Sequence, residues 1–144
     1  MAGYSGTPLP QKLGIKPGFK VALPQLPSDV RKDLETALGS CDIATKGKAP
    51  LDLVLNFVTR KKDLLVSFPG WASRLTPAGM LWIAWPKKSS GVDTDLDENK
   101  IRDIGLAAGL VDVKVCAISE TWSGLKFVRR LADRKGSSRT KAAH

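Results

Sequence analysis

A chain of 144 residues with 42% hydrophobic and 26% charged residues has the size and make-up of one folded domain, which excludes an intrinsically disordered chain. No apolar run approaches the roughly 18 residues of a membrane-spanning helix, and Met1 to Pro8 has neither a basic nor an apolar leader region, so a cytoplasmic protein with no membrane partner is expected. The net charge of +9 is uneven: Arg129, Arg130, Arg134, Lys135, Arg139 and Lys141 against Asp133 place +5 at the end, leaving +4 for all the rest.

In chain order, residues 1–18 are rich in Gly, Pro and Lys and read as an N-terminal arm ending in a turn at Lys16-Pro17-Gly18. Phe19 to Leu23 is a short buried strand bounded by Gly18 and Pro24. Pro27-Ser28-Asp29 starts a helix that carries Val30, Leu34, Ala37 and Leu38 at helical spacing and stops at Gly39. Cys41 to Thr45 is a weak strand. Leu51 to Val58 is a much stronger one, apolar on both faces as a parallel strand covered by helices requires. Arg60 to Leu75 reads as a helix with Leu64, Leu65, Phe68, Trp71 and Leu75 in register, kinked or split by Pro69-Gly70. Met80 to Trp85 is a second two-sided strand, stopped by Pro86. Lys87 to Asp97 is a polar loop, with Thr94 or Asp95 placed to cap a helix that shows Ile101, Ile104 and Ala108 and ends at Gly109. Val111 to Ile118 and Gly124 to Val128 alternate and lie close in sequence, as an antiparallel hairpin does.

This order predicts a single α/β domain over residues 19–130, a small Rossmann-like sheet, mostly parallel with a C-terminal antiparallel hairpin, followed by a basic, disordered tail over residues 131–144. There is no internal repeat. Cys41 and Cys116 sit in apolar segments without a Cys/His cluster and read as reduced, buried thiols.

Several blocks carry a resemblance. Gly3-Tyr4-Ser5-Gly6-Thr7-Pro8-Leu9, Trp85-Pro86-Lys87-Lys88, Ser90-Gly91-Val92-Asp93-Thr94-Asp95-Leu96 and Glu120-Thr121-Trp122-Ser123-Gly124 resemble a family of short bacterial proteins known only as a domain of unknown function, over most of residues 3–130. More distantly, the second half is similar to the class I methyltransferase fold, with a strand like Leu51 to Val58, a turn like Leu75 to Gly79 and a final hairpin. That fold holds S-adenosylmethionine on a glycine-rich turn after its first strand. Here the turn is Leu23-Pro24-Gln25-Leu26-Pro27, whose prolines offer no N–H and crowd the approach. The acidic residue that the resemblance implies for the ribose is not evident near Ala44-Thr45-Lys46, so neither S-adenosylmethionine nor any other cofactor is expected. Asn56-Phe57 echoes the Asn-Pro-Pro-aromatic motif of nucleic-acid amino methyltransferases without its prolines, and ordinary strand sequence accounts for it as well.

In open α/β sheets ligands lie beyond the carboxyl ends of the strands. The candidate segments are therefore Pro24 to Ser28, Val58 to Arg60 with Thr59 and Arg60 as ligand-binding residues, and Pro86 to Asp95 with Lys87, Lys88, Ser89, Ser90, Gly91, Asp93, Thr94 and Asp95, while Trp122 of the hairpin link and Tyr4 and Ser5 of the arm are placed to fold over them. Two lysines beside two serines and a helix start form an anion-binding concavity, or else solvated lysines and a capped turn. Asp93 and Asp95 are a carboxylate pair or simply caps. Trp71, Trp82 and Trp85 are explained by core packing, whereas Trp122 is free to stack on a ligand. The one histidine is His144, which argues against a zinc site or a Ser-His-Asp triad, and no catalytic or metal-ligating residue is assigned. Three functions remain open. The chain is a non-catalytic or degenerate methyltransferase-like module binding a small anionic ligand or a protein, a nucleic-acid-associated protein acting through Arg130 to Lys141, or an unrecognised enzyme of that fold.

Overall fold

In the computed structural model, residues 7–45 and 47–134 are described, and Tyr4, Ser5, Lys46, most of the basic tail and His144 lie outside them. The elements run α1 (Leu9–Leu13), β1 (Lys20–Ala22), α2 (Ser28–Leu38), β2 (Asp42–Ile43), β3 (Leu51–Phe57), α3 (Lys61–Ser73), β4 (Leu75–Pro86), α4 (Glu98–Ala107), β5 (Leu110–Ala117) and β6 (Trp122–Arg129), with a short 3₁₀ turn at Lys88–Ser90. The six strands form one sheet in the order β2-β1-β3-β4-β6-β5. β2, β1, β3 and β4 are parallel, and β6 turns antiparallel between β4 and β5.

The two-sided apolar strands explain the layers. Val54 and Val58 of β3 and Leu81, Ile83 and Trp85 of β4 face one core, which α3 and α4 close with Leu64, Phe68 and Ile101. Leu53, Leu55 and Phe57 of β3 and Trp82 and Ala84 of β4 face a second core closed by α1 and α2 through Leu9, Leu13, Val30 and Leu34. Both faces of the central strands β3 and β4 are therefore dry, as parallel strands between helix layers demand. The turn at Leu75 to Gly79 is absorbed into β4, and the pairing with β3 shifts register there, from Leu51↔Leu75 to Leu53↔Met80.

Several expectations are corrected. The arm is structured from residue 9 onward: α1 buries Leu13 completely, and the Trp82 indole donates to its carbonyl at 2.9 Å, so residues 9–18 belong to the domain. α3 is not split by Pro69-Gly70 and runs on to Ser73. Pro69 and Leu65 both lie on the exposed side, where water can satisfy the Leu65 carbonyl that the proline leaves free. The cap of α4 is neither Thr94 nor Asp95 but Asp97, whose carboxylate accepts from the Lys100 amide at 2.8 Å. Residues 131–134, expected in the tail, form a helical turn closed by the Arg134 amide on the Arg130 carbonyl. Cys41 and Cys116 are free but only partly buried. No described helix is long and apolar enough to cross a membrane.

Candidate functional site at the strand-order switch

From β1 the chain moves outward to β2 and then returns past β1 to β3, so the strand order reverses between β1 and β3. Crevices at such a switch, beyond the carboxyl ends of the strands, are where open α/β sheets take ligands. A cleft of about 530 Å³ lies there. The β1–α2 turn supplies Pro24 and Gln25, the end of β3 supplies Asn56 to Thr59, α3 supplies Asp63, Ser67 and Trp71, and β6 supplies Trp122.

Each wall has a local cause. Asn56 is 3% exposed because it points from β3 under α3, where its amide donates to the Ser67 hydroxyl at 3.2 Å. The same side chain lines the cleft. Trp122 opens β6 opposite Pro86 and is held edge-on by Phe57, ring centroids 5.0 Å apart at 89°. Trp71 overhangs the cleft because the sheet below it thins out: the edge strand β2 is only two residues long. A neighbouring hollow of about 390 Å³ shares Pro24 and Trp71, and among the described residues Arg31 is the cation in its lining.

The β1–α2 turn is the distinctive feature. Gln25 stands at φ 63°, the only described non-glycine residue with positive φ. A left-handed conformation costs an L-residue roughly 1–2 kcal/mol. A glycine would relieve that cost, and the residue standing there lines the cleft. Pro24 beside it presents a ring and no N–H.

The candidate residues read from the sequence divide into two groups. Thr59 and Trp122 line the cleft. Arg60, Asp93, Thr94 and Asp95 instead fasten the 87–97 loop onto the start of α3. Arg60 pairs with Asp93 at 2.6 Å, the Thr94 hydroxyl donates to the Thr59 carbonyl at 2.7 Å, and the Asp95 carboxylate accepts from the Lys61 amide at 2.8 Å. The Asp93 carboxylate pushes the Arg60 guanidinium up from its ordinary value. Lys87 donates its amide to the Thr121 carbonyl beside Trp122, and the Ser90 hydroxyl donates to the Lys87 carbonyl and accepts from the Val92 amide. Lys88 and Ser89 are exposed on the 3₁₀ turn, and Gly91 ends it at φ 79°. Lys87, Lys88, Ser89, Ser90 and Gly91 thus form a neighbouring loop outside the cleft lining.

Of the segment Pro24 to Ser28, named from the sequence as a strand-end candidate, Pro24 and Gln25 line the cleft. Sequence reasoning missed Asp63, Ser67 and Trp71 as cleft residues. Trp71 is not the plain core residue that its spacing suggested, since it stays half-exposed.

A family model described as "Protein of unknown function (DUF3052)" matches residues 11–131. The chain belongs to that family. No curated protein matches it. Among solved structures, this family member is similar to magnesium protoporphyrin IX methyltransferase from Synechocystis PCC 6803 with bound SAH, at 13% identity over 84% of this chain and 78% of that one, TM-score 0.57. It is likewise similar to a ribosomal protein methylase from Lactobacillus delbrueckii subsp. bulgaricus, at 13% identity over 85% of this chain and 75% of that one, TM-score 0.54. A third similar structure is the Methanococcus jannaschii fibrillarin pre-rRNA processing protein, at 12% identity over 85% and 69%, TM-score 0.52. These likenesses place the fold among the methyltransferase-like α/β folds.

Proposed function

We propose that this family member is a methyltransferase-like module that binds a small planar ligand in the switch-point cleft and does not carry out S-adenosylmethionine-dependent methyl transfer. The observation that carries this reading is the β1–α2 turn. A glycine-rich turn grips a cofactor by close backbone approach, whereas Pro24 and Gln25 put a ring and a side chain on a left-handed backbone in that approach.

The lining supports the ligand class. Trp71 and Trp122 offer aromatic surface for a flat ring, and the amides of Gln25 and Asn56 and the hydroxyl of Thr59 offer donors and acceptors to its edge. Among the described residues Asp63 is the one charged side chain of the cleft lining, which disfavours an anion there. Arg31 in the adjoining hollow suits an anionic substituent on that ring. This arrangement supports an anionic ligand held by Arg31 better than one held by Lys87 and Lys88, because the Ser90 and Thr94 hydroxyls of that loop are already engaged within the fold.

Tryptophan fluorescence titrated with nicotinate, nicotinamide and inorganic phosphate tests the reading. Both ring compounds should quench, nicotinate more strongly. Trp122→Ala should abolish the response to both, and Arg31→Gln should weaken only nicotinate. Quenching by phosphate alone, or ring binding indifferent to Trp122, would overturn it.

A further inference from the structure

The second face of the β5–β6 hairpin carries a segregated charge that the cleft does not use. Lys114 and Lys126 are direct cross-strand partners, so their side chains share a face with Cβ atoms about 5 Å apart. That face is the one covered by α1. Lys114 Nζ donates to the Lys12 carbonyl at 3.2 Å, and Trp82, the register partner of Lys126 on β4, donates to the Leu13 carbonyl. The chain from Thr7 to Phe19 contributes Lys12 and Lys16 and no acid. The one acid of the hairpin strands, Asp112, is turned to the opposite face, where it accepts from Arg102 of α4 at 2.8 Å. α2 packs beside α1 and carries Asp29, Asp33 and Glu35, none of which ion-pairs with Lys114 or Lys126.

Like charges directly opposite on a sheet repel, and a half-buried ammonium adds a desolvation cost. Burial and then Lys114 push the Lys126 amine below its ordinary value. Among the described residues no acidic side chain ion-pairs with either lysine, and Lys114 has only the Lys12 carbonyl, whereas a polyanion laid across the face would neutralise both. We propose that α1 and the outer face of the β5–β6 hairpin form a nucleic-acid-binding surface, with Lys114 and Lys126 engaging backbone phosphates. Lys12 adjoins the pair, its carbonyl accepting from Lys114. Gly124 is buried and Cys116 and Val128 are half-buried between the lysines, so this surface offers charge without the apolar anchor that a membrane-surface site uses. Lysines act as point charges, suited to phosphates and indifferent to base sequence.

The test is fluorescence anisotropy of a labelled duplex oligonucleotide with the full chain across a salt series, alongside phosphatidylserine vesicles and polyglutamate. The wild type should bind the duplex in the micromolar range at low salt, and Lys114→Gln/Lys126→Gln should lose about tenfold in affinity and lower the salt slope by about 1.8. Lys114→Arg/Lys126→Arg should keep both. The double glutamine variant should melt at or above the wild-type temperature, since it removes a cross-strand repulsion. Should it fail to fold, Lys114→Gln alone, at an exposed position, gives the same readout at half the slope change. An unchanged slope in the glutamine variants, absence of duplex binding by the wild type, or equal binding to vesicles or polyglutamate would overturn the assignment. None of these outcomes bears on the cleft, which the tryptophan titration reads separately.

Discussion

Gly105→Ala offers a sharp test of how α4 is seated, because two effects oppose each other and the geometry decides between them. In an open helix, alanine would gain about 1 kcal/mol over glycine. Here a Cβ at residue 105 would stand 2.0 Å from Phe127 Cε1 and 2.4 Å from its Cζ, against an optimum of about 3.5–4.0 Å between carbons. The ring would have to retreat by roughly 1.5 Å. It has nowhere to go, being fully buried and packed edge-on against Phe68 at 5.3 Å between centroids. Overpacking of this kind costs about 1–3 kcal/mol, and more when the neighbour cannot move. The expected net result is a loss of roughly 1–2 kcal/mol, or about 3–8 °C in melting temperature for a chain of this size. Urea unfolding and calorimetry measure it. Phe127→Leu, itself destabilising, should restore part of the loss in the Gly105→Ala background, with a coupling of about 1 kcal/mol or more. A Gly105→Ala protein as stable as wild type, or strictly additive effects, would refute the packing.

Three further outcomes follow from named contacts. Asp95→Ala removes the carboxylate that accepts from the first amide of α3 and should cost about 1 kcal/mol in urea unfolding, with Asp95→Asn retaining part of it. Arg129 donates to the Ala72 and Leu75 carbonyls at 3.2 and 2.6 Å, closing the end of α3, so Arg129→Ala should cost about 1–2 kcal/mol and Arg129→Lys less. The Arg102 guanidinium holds the Asp112 carboxyl below its ordinary range. A depressed carboxyl stabilises the fold fully above its unfolded value, about 3.9, and loses that contribution as pH falls through the lower folded value. Stability measured from pH 5 downward should therefore fall less steeply in Asp112→Asn than in wild type.

The central fold was legible because burial on both faces leaves an unmistakable trace: Leu53, Val54, Leu55 and Phe57 in one strand and Leu81, Trp82, Ile83, Ala84 and Trp85 in another have no polar side to spare. The hairpin was legible from alternation. What escaped depends on partners distant in sequence. Asp95 looked like a local cap but serves Lys61, 34 residues earlier, because the 87–97 loop folds back over α3. α1 is a single turn whose two apolar residues sit among prolines and glycines, too short to show a period, yet Leu13 is wholly buried under Trp82. Trp71 fits helical spacing whether or not a sheet lies beneath it, and only the two-residue β2 explains why it borders a cleft. The lysine pair on the hairpin requires the register of β5 with β6, which a bulge between Asp112 and Lys114 sets and alternation alone does not give.

Calorimetric titration of S-adenosylmethionine into the wild-type protein tests the account of the cleft most directly, with Pro24→Gly/Gln25→Gly as its counterpart. The account predicts no heat of binding for the wild type and a measurable gain once the turn can bring its backbone to the ligand. Stoichiometric binding by the wild type, lost on Asn56→Ala or Trp122→Ala, would contradict it.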